Sequence, residues 1–227
     1  QPARETQLAG IVGKTGICAA LLTLGADGSG SLTEKAKGQS TDFATIDRVG
    51  TEVASILYSS GTTGRPKGAM MSHDNLAANA QTLHKLWGWQ PDDVLLHALP
   101  IFHTHGLFVA TNCVLLNGST MIFCAKFDAE QVLDLLPQAS VFMGVPTFYT
   151  RLLASPRLNP ETCRNMRLFI SGSAPLLSET FNDFASRTGH TILERYGMTE
   201  GGMFTSNPLK GARKAGTVGP ALPDMQV

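Results

Sequence analysis

Two stretches of this chain hold the residue types of phosphate chemistry at close spacing. The first is Tyr58-Ser-Ser-Gly-Thr-Thr-Gly-Arg-Pro-Lys-Gly68, with three glycines, four Ser/Thr hydroxyls and two cations in eleven residues. Glycine lets a backbone turn tightly and bring its N–H groups against a ligand. Hydroxyls and cations supply the donors and charge that an oxyanion needs. Ser59, Ser60, Gly61, Thr62, Thr63, Gly64 and Lys67 are therefore candidate phosphate ligands. A Walker A loop is excluded, because Pro66 precedes the lysine and no Gly-Lys-Ser/Thr opens a helix. The second stretch is Glu194-Arg-Tyr-Gly-Met-Thr-Glu200. Tyr196 offers an aromatic face for a purine. Thr199 offers a hydroxyl for a phosphate, and Glu200 a carboxylate for a hard cation.

Three further strings lie between them. Leu99-Pro-Ile-Phe-His-Thr-His-Gly106 sets His103 and His105 just beyond an apolar run. They read as a reactive or binding pair, as structural histidines, or as a His-x-His metal pair, which lacks a third ligand nearby. His97 reads as a strand residue. Gly144-Val-Pro-Thr-Phe-Tyr-Thr-Arg151 places Arg151 on a helix that follows a strand end, where α/β folds bind ligands; the alternative is a solvated helix cation. In Ser171-Gly-Ser-Ala-Pro175, the small residues Gly172, Ser173 and Ala174 would let a flat ring lie against the backbone, or would simply form a strand-to-helix turn.

These strings must be held by strands and helices in alternation. Short apolar runs predict strands over 18–24, 54–58, 94–98, 121–124, 141–144, 168–171 and 191–194, with another at 68–71. Helices are expected from Ser72 with Leu76, Ala80, Leu83 and Leu86 on one face, from Asp128 to a stop at Pro137, from Pro146, and over 177–187 before Gly189. The expected class is α/β: layered, largely parallel sheets flanked by helices. Residues 25–40 read as a surface loop or short helix. Residues 1–50 are expected to be the end of an upstream α/β subdomain and 51–227 a nucleotide-binding core.

Bulk properties narrow the partners. Lys+Arg and Asp+Glu are 18 each, which disfavours nucleic-acid and membrane-surface binding, both of which use a basic excess. No apolar run is long enough to span a bilayer, and Gln1–Leu8 does not read as a signal peptide. Cys18, Cys113, Cys124 and Cys163 are far apart and read as reduced, mostly buried thiols. A cytoplasmic location is the expectation, with the mitochondrial matrix as the alternative. Gln1 and the strand-like run at Val227 read as ends cut from a longer chain.

Taken in order, the glycine-rich string and Glu194–Glu200 resemble the signatures of the AMP-forming acyl-adenylate family, which includes acyl-CoA synthetases. The resemblance runs from about Thr41 onward and implies a piece of that family's large domain. It implies that ATP, Mg²⁺ and coenzyme A are used, with an acyl-AMP intermediate. Lys67, His103, Thr199 and Glu200 would then be catalytic: His103 at the gate for the reacting carboxylate, Thr199 on the α-phosphate, Glu200 on Mg²⁺. His105 would line the acyl pocket. Gly172, Ser173, Ala174, Glu194, Arg195, Tyr196 and Gly197 would surround the nucleotide, with Tyr196 stacked on adenine.

Within the family, the strings around His103, Arg151, Ser173 and Tyr196 are most similar to those of the branch that activates malonate and methylmalonate. There an arginine at the place of Arg151 and a serine at that of Ser173 receive the acid's second carboxylate. Two alternatives stand beside this: a ligase for a monocarboxylic acid or a carrier-protein acceptor, and a non-catalytic nucleotide-binding fragment. The family's ribose-binding acidic motif and its C-terminal small domain, with the adenylation lysine, do not appear in the chain. The resemblance implies that this domain is needed for catalysis and that these 227 residues alone have little or no activity.

Overall fold

The computed structural model describes residues 4–16, 20–59 and 64–227. The chain separates into two units, 1–47 and 48–227. The first holds α1 (Glu5–Thr15) and α2 (Ser31–Ala36). The strand expected over 18–24 is not formed by residues 20–24, which have no regular structure up to a turn at Ala26, and 18–19 lie outside the described residues.

The second unit begins with an antiparallel hairpin, β1 (Val53–Ser59) and β2 (Lys67–Ser72), whose ladder ends at the Ser59–Lys67 pair. β2 passes directly into α3 (His73–Leu86). Ser72 caps that helix: its hydroxyl accepts from the Asn75 N–H, and the Asn75 side chain accepts from the Ser72 N–H, each at 3.1 Å. This reciprocal cap satisfies donors that a helix start otherwise leaves open.

The main sheet follows. Its strands are β3 (Val94–His97), β4 (Thr120–Phe123), β5 (Val141–Gly144), β6 (Leu168–Ser171), β7 (Leu193–Met198) and β8 (Gly202–Ser206), in the order β4-β3-β5-β6-β7-β8. All neighbours are parallel except β7 and β8, an antiparallel hairpin. Between the strands lie α4 (Asn112–Asn117), α5 (Ala129–Leu135), α6 (Pro146–Leu153) and α7 (Ser178–Thr188). Asp128 caps α5 through the Gln131 N–H, and Gly189 ends α7 in the left-handed region.

Successive strand residues point to opposite faces, so the sheet feeds two cores. On one face Leu96, Phe142 and Phe169 pack with Val132 and Leu133 of α5, Tyr149 and Leu152 of α6, and Phe181 and Phe184 of α7. On the other, Leu95, Val141, Met143, Leu168 and Ile170 pack with Leu83 of α3, Trp87, and Cys113 and Val114 of α4. Both faces being covered explains why β3, β5 and β6 are largely apolar rather than alternating. Cys113, Cys124 and Cys163 are buried free thiols. At the N-terminal end of β3, buried Asp93 pairs with Arg167 and accepts from the Ser140 hydroxyl at 2.7 Å. Trp87 is fully buried and donates its indole N–H to Ser206 Oγ of β8 at 3.0 Å.

Two features depart from expectation. Residues 105–117 form a continuous helix whose first part, His105–Thr111, is π-helical and runs into α4. The strand expected to end at Glu194 continues to Met198 and turns back as β8. The C-terminal run forms one bridge, Thr205 to Ala221, and no strand after it. Among the described residues, no helix is long and apolar enough to cross a membrane.

Candidate functional site

The site lies where β3, β5, β6 and β7 end, at the carboxyl edge of the parallel sheet, the place where open α/β sheets take ligands. The chain leaving β3 carries His103 and His105, the turn after β6 carries Gly172 to Pro175, and β7 carries Arg195 to Met198 into the turn with Thr199 and Glu200. These segments enclose three adjoining cavities, and Ser173 lines all of them. Ser173 is held at φ 69°, a left-handed conformation that costs a non-glycine residue stability and recurs at functional sites. Its hydroxyl lies 3.2 Å from His105 Nδ1.

The first cavity, of about 180 Å³, is polar. His103, His105, Ser173, Arg195, Thr199 and Glu200 line it, with Thr104, Met198 and Met203 beside them. The His105 N–H donates to His103 Nδ1 at 3.1 Å, so the proton of neutral His103 sits on Nε2. Burial, then the charge of Arg195, lowers the His103 pKa. Burial, then Arg195, His103 and His97, holds His105 well below the usual histidine range. Both rings are neutral at pH 7.

Arg195 is the unusual group. It is 2 % exposed, and burial pushes it down to about 9, so it remains charged at neutral pH. Its Nε and one terminal nitrogen have no hydrogen-bond partner among the described residues, and no ion pair there includes it. Gly172 leaves room for it: a Cβ there would sit 2.5 Å from the guanidinium carbon. A buried cation without a counter-ion is costly, and an arriving anion relieves that cost.

The second cavity, of about 320 Å³, lies along Ser173, Ala174, Pro175 and Glu194 to Gly197, closed by Gly216 and Val218. Tyr196 is half exposed, with its ring centroid 6.0 Å from that of Phe204. Burial raises the Glu194 pKa, although its Oε1 accepts from the Leu176 N–H at 3.3 Å. The third cavity, of about 210 Å³, is apolar, lined by Leu99, Pro100, Gly106, Val145 and Phe148 beside His103, His105 and Ser173.

The sequence-predicted residues divide accordingly. His103, His105, Ser173, Ala174, Glu194, Arg195, Tyr196, Gly197, Thr199 and Glu200 line the cavities, and Gly172 backs them. Ser60, Gly61, Thr62 and Thr63 lie outside the described residues. Ser59, Gly64 and Lys67 are at the loop end of the β1–β2 hairpin and line none of the three cavities. Arg151 is exposed on α6 and lines none either; its guanidinium carbon lies 4.8 Å from the centroid of the Phe127 ring. Sequence reasoning passed over Phe148, Met203, Gly216 and Val218. The string Ala215-Gly-Thr-Val-Gly219 was a signal for the last two.

Among the described residues no three His, Cys, Asp or Glu side chains cluster to hold a metal. Glu200 with Thr199 is a sparse oxygen set. It suits Mg²⁺, which commonly binds one or two carboxylates and completes its shell with substrate phosphates and water.

Comparison with known proteins gives the class. The family model described as AMP-binding enzyme matches residues 7–227, and the chain belongs to that family. Among individual proteins, it is 45% identical over 190 residues to mouse malonate–CoA ligase ACSF3, mitochondrial, covering 77% of this chain and 33% of that protein. It is 39% identical over 193 residues to Arabidopsis thaliana malonate–CoA ligase, covering 76% and 32%. The crystal structure of ATP-bound MatB from Rhodopseudomonas palustris superposes with a TM-score of 0.95 at 60% identity, over 98% of this chain and 44% of that one. The chain spans about a third of the length of the curated relatives it matches.

Proposed function

We propose that this chain is the nucleotide- and acid-binding core of an enzyme that joins a small dicarboxylic acid, malonate or methylmalonate, to coenzyme A through an acyl-AMP intermediate. The observation that carries the reading is the buried guanidinium of Arg195 in the polar cavity, unpaired among the described residues. An acid activated at one carboxylate must keep a second anionic end in that cavity, and Arg195 with the Ser173 hydroxyl is the complementary pair. A fatty acid would leave this charge uncompensated. The names of the similar proteins point the same way.

In this reading the acid's reacting carboxylate lies between His103 and Thr199 and attacks the α-phosphorus of ATP, releasing pyrophosphate. Neutral His103, with its Nε2 proton, donates to that carboxylate and orients it. Thr199 and Glu200 meet the α-phosphate side, where Mg²⁺ would supply positive charge, and Tyr196 packs on the adenine in the second cavity. Lys67 and the hydroxyls from Ser59 to Thr63 take the departing phosphates. The thiol of coenzyme A then attacks the acyl carbon and AMP leaves. Rate acceleration comes chiefly from positioning and electrostatics.

The test uses the full-length protein. Wild type should form the thioester from malonate far better than from acetate or octanoate. Arg195→Met keeps the volume and removes the charge; it should lower kcat/KM for malonate by about a hundredfold or more, the scale of a lost buried charge pair, and spare acetate. Equal losses on both acids, or a wild-type preference for octanoate, would reject the dicarboxylate reading in favour of a monocarboxylate ligase. Arg151→Ala tests the sequence-based expectation separately, since a direct role in carboxylate binding requires its guanidinium to leave Phe127.

A further inference from the structure

One helix, α3, is fastened to both segments that carry nucleotide-handling residues. At its start it holds the β1–β2 hairpin by the base: β2 runs into it without a break, and the His73 and Asp74 N–H groups donate to the Glu52 and Gly50 carbonyls, just ahead of β1, at 3.1 and 2.8 Å. Farther along it holds β8. The Asn79 side chain donates to the Met203 carbonyl at 3.0 Å and accepts from the Met203 N–H at 3.2 Å. Gly202, at φ 73°, leaves room for this clasp, since a Cβ there would sit 2.8 Å from Asn79 Oδ1. Trp87, just past the helix, makes a second tie, to Ser206. From Asn79 to Trp87 the helix rises about 12 Å, and from Met203 to Ser206 the strand rises about 10 Å. The two ties are thus matched in length and hold helix and strand against sliding. β8 starts at Gly202, just after the turn with Thr199 and Glu200, and Met203 lines the polar cavity beside them. Asn79 itself lines none of the three cavities of the site and reaches it through Met203.

We infer that α3 is the spacer of the nucleotide site, and that Asn79 is a positioning residue which, by clasping Met203, sets the Thr199–Glu200 turn in register with the hairpin that carries Lys67. The inference rests on the adenylation reading above, in which Thr199 and Glu200 meet the α-phosphate and Lys67 the departing phosphates. Attack at the α-phosphorus needs both sides of the breaking bond held at once, and a misplacement of about 1 Å far from the chemistry can cost about a hundredfold in rate. AMP has no departing phosphates, so in the same reading its binding does not depend on Lys67.

The experiment measures two quantities in the full-length protein and its Asn79→Ala and Asn79→Asp variants, well below their melting temperatures. One is the malonate-dependent exchange of labelled pyrophosphate into ATP, which runs the adenylation step forward and back and needs both segments. The other is the dissociation constant of AMP by calorimetry, which draws on Tyr196, Thr199 and the turn after β6 and needs only one. Asn79→Ala should slow exchange by about 10–100-fold, the scale of a misplacement of up to about 1 Å, and leave AMP affinity unchanged. Asn79→Asp keeps the volume and the acceptor for the Met203 N–H but loses the donor to the Met203 carbonyl. It should slow exchange by less, and it decides the matter if the alanine variant unfolds. Unchanged exchange in a folded variant, or AMP binding weakened as much as exchange, overturns the spacer and leaves the adenylation reading intact. A full-length wild type without malonate-dependent exchange overturns that reading and the inference with it.

Discussion

The molecule has two hairpins that carry its two most informative strings, and they are built differently. In β1–β2, Val53, Ile56, Tyr58 and Met70 are exposed and only Met71 is fully buried. In β7–β8, Leu193, Glu194, Arg195, Met203, Thr205 and Ser206 are buried. β8 is also tied to α3: the Asn79 side chain donates to the Met203 carbonyl at 3.0 Å and accepts from the Met203 N–H at 3.2 Å. The difference teaches where preorganisation lies. The turn that carries Thr199 and Glu200 is anchored by a buried hairpin, whereas Ser59 and Lys67 sit at the end of a ladder that little else supports. Stability is distributed unevenly in proteins, and ligand-handling segments are often drawn from its low end.

The sharpest way to break this contrast is a matched pair of substitutions. A Cβ on Gly197 would lie 2.2 Å from the Gly202 carbonyl oxygen, within the β7–β8 turn. Gly64, at φ 79°, has open space around its Cβ position among the described residues. Gly197→Ala should cost on the order of 3 kcal/mol, since backbone must shift, while Gly64→Ala should cost only about 1 kcal/mol of local strain. Equal losses in chemical denaturation would show that the hairpins are equally supported. Next in size, Asn79→Ala leaves a backbone donor and acceptor of β8 without partners and should cost about 1–3 kcal/mol. The melting temperature would fall accordingly. Amide exchange sharpens the comparison without mutation: amides of β6 and β7 should exchange only with global unfolding, and those of β1 and β2 at least about tenfold faster.

The smallest effect concerns pH. His97 is fully buried, with neither ring nitrogen partnered among the described residues, and burial lowers its pKa as it does that of His105. The unfolded chain takes up protons near 6.5 and the folded one resists them. Stability should thus be full above about pH 6.5 and decline as pH falls below it. His97→Phe should flatten that slope. Asp93 contributes separately. Burial raises its pKa, but the Arg167, Gln90 and Ser140 hydrogen bonds outweigh it and lower the pKa overall, so its share is lost only below the ordinary carboxylate value of 3.8.

Much of this architecture was legible in the sequence. β3, β5 and β6 are short apolar runs because both faces of the sheet are covered, and Ser72, Asp128, Pro146 and Gly189 mark helix ends by capping chemistry. The helix over 105–117 escaped because His-Gly-Leu-Phe-Val-Ala-Thr-Asn-Cys-Val has no polar stripe to reveal a helical period, and its first turns are π-helical. β8 escaped because it opens with glycine after a tight turn. At the site, the identity of Arg195 was visible but its burial was not. An arginine in a strand reads as surface until the register places it against Gly172. Arg151 shows the converse: its place on a helix after a strand end reads as a pocket position, while its contact with the Phe127 ring, from a distant stretch of chain, has no local signal in the sequence.

The bond from the Trp87 indole to Ser206 has a practical consequence. The chain has two tryptophans, and Trp87 and Trp89 are both buried in the core that supports β8. Intrinsic ultraviolet emission is therefore a built-in optical gauge of that strand. Loosening β8 would let water reach the indole and shift its emission to longer wavelength, with no label attached.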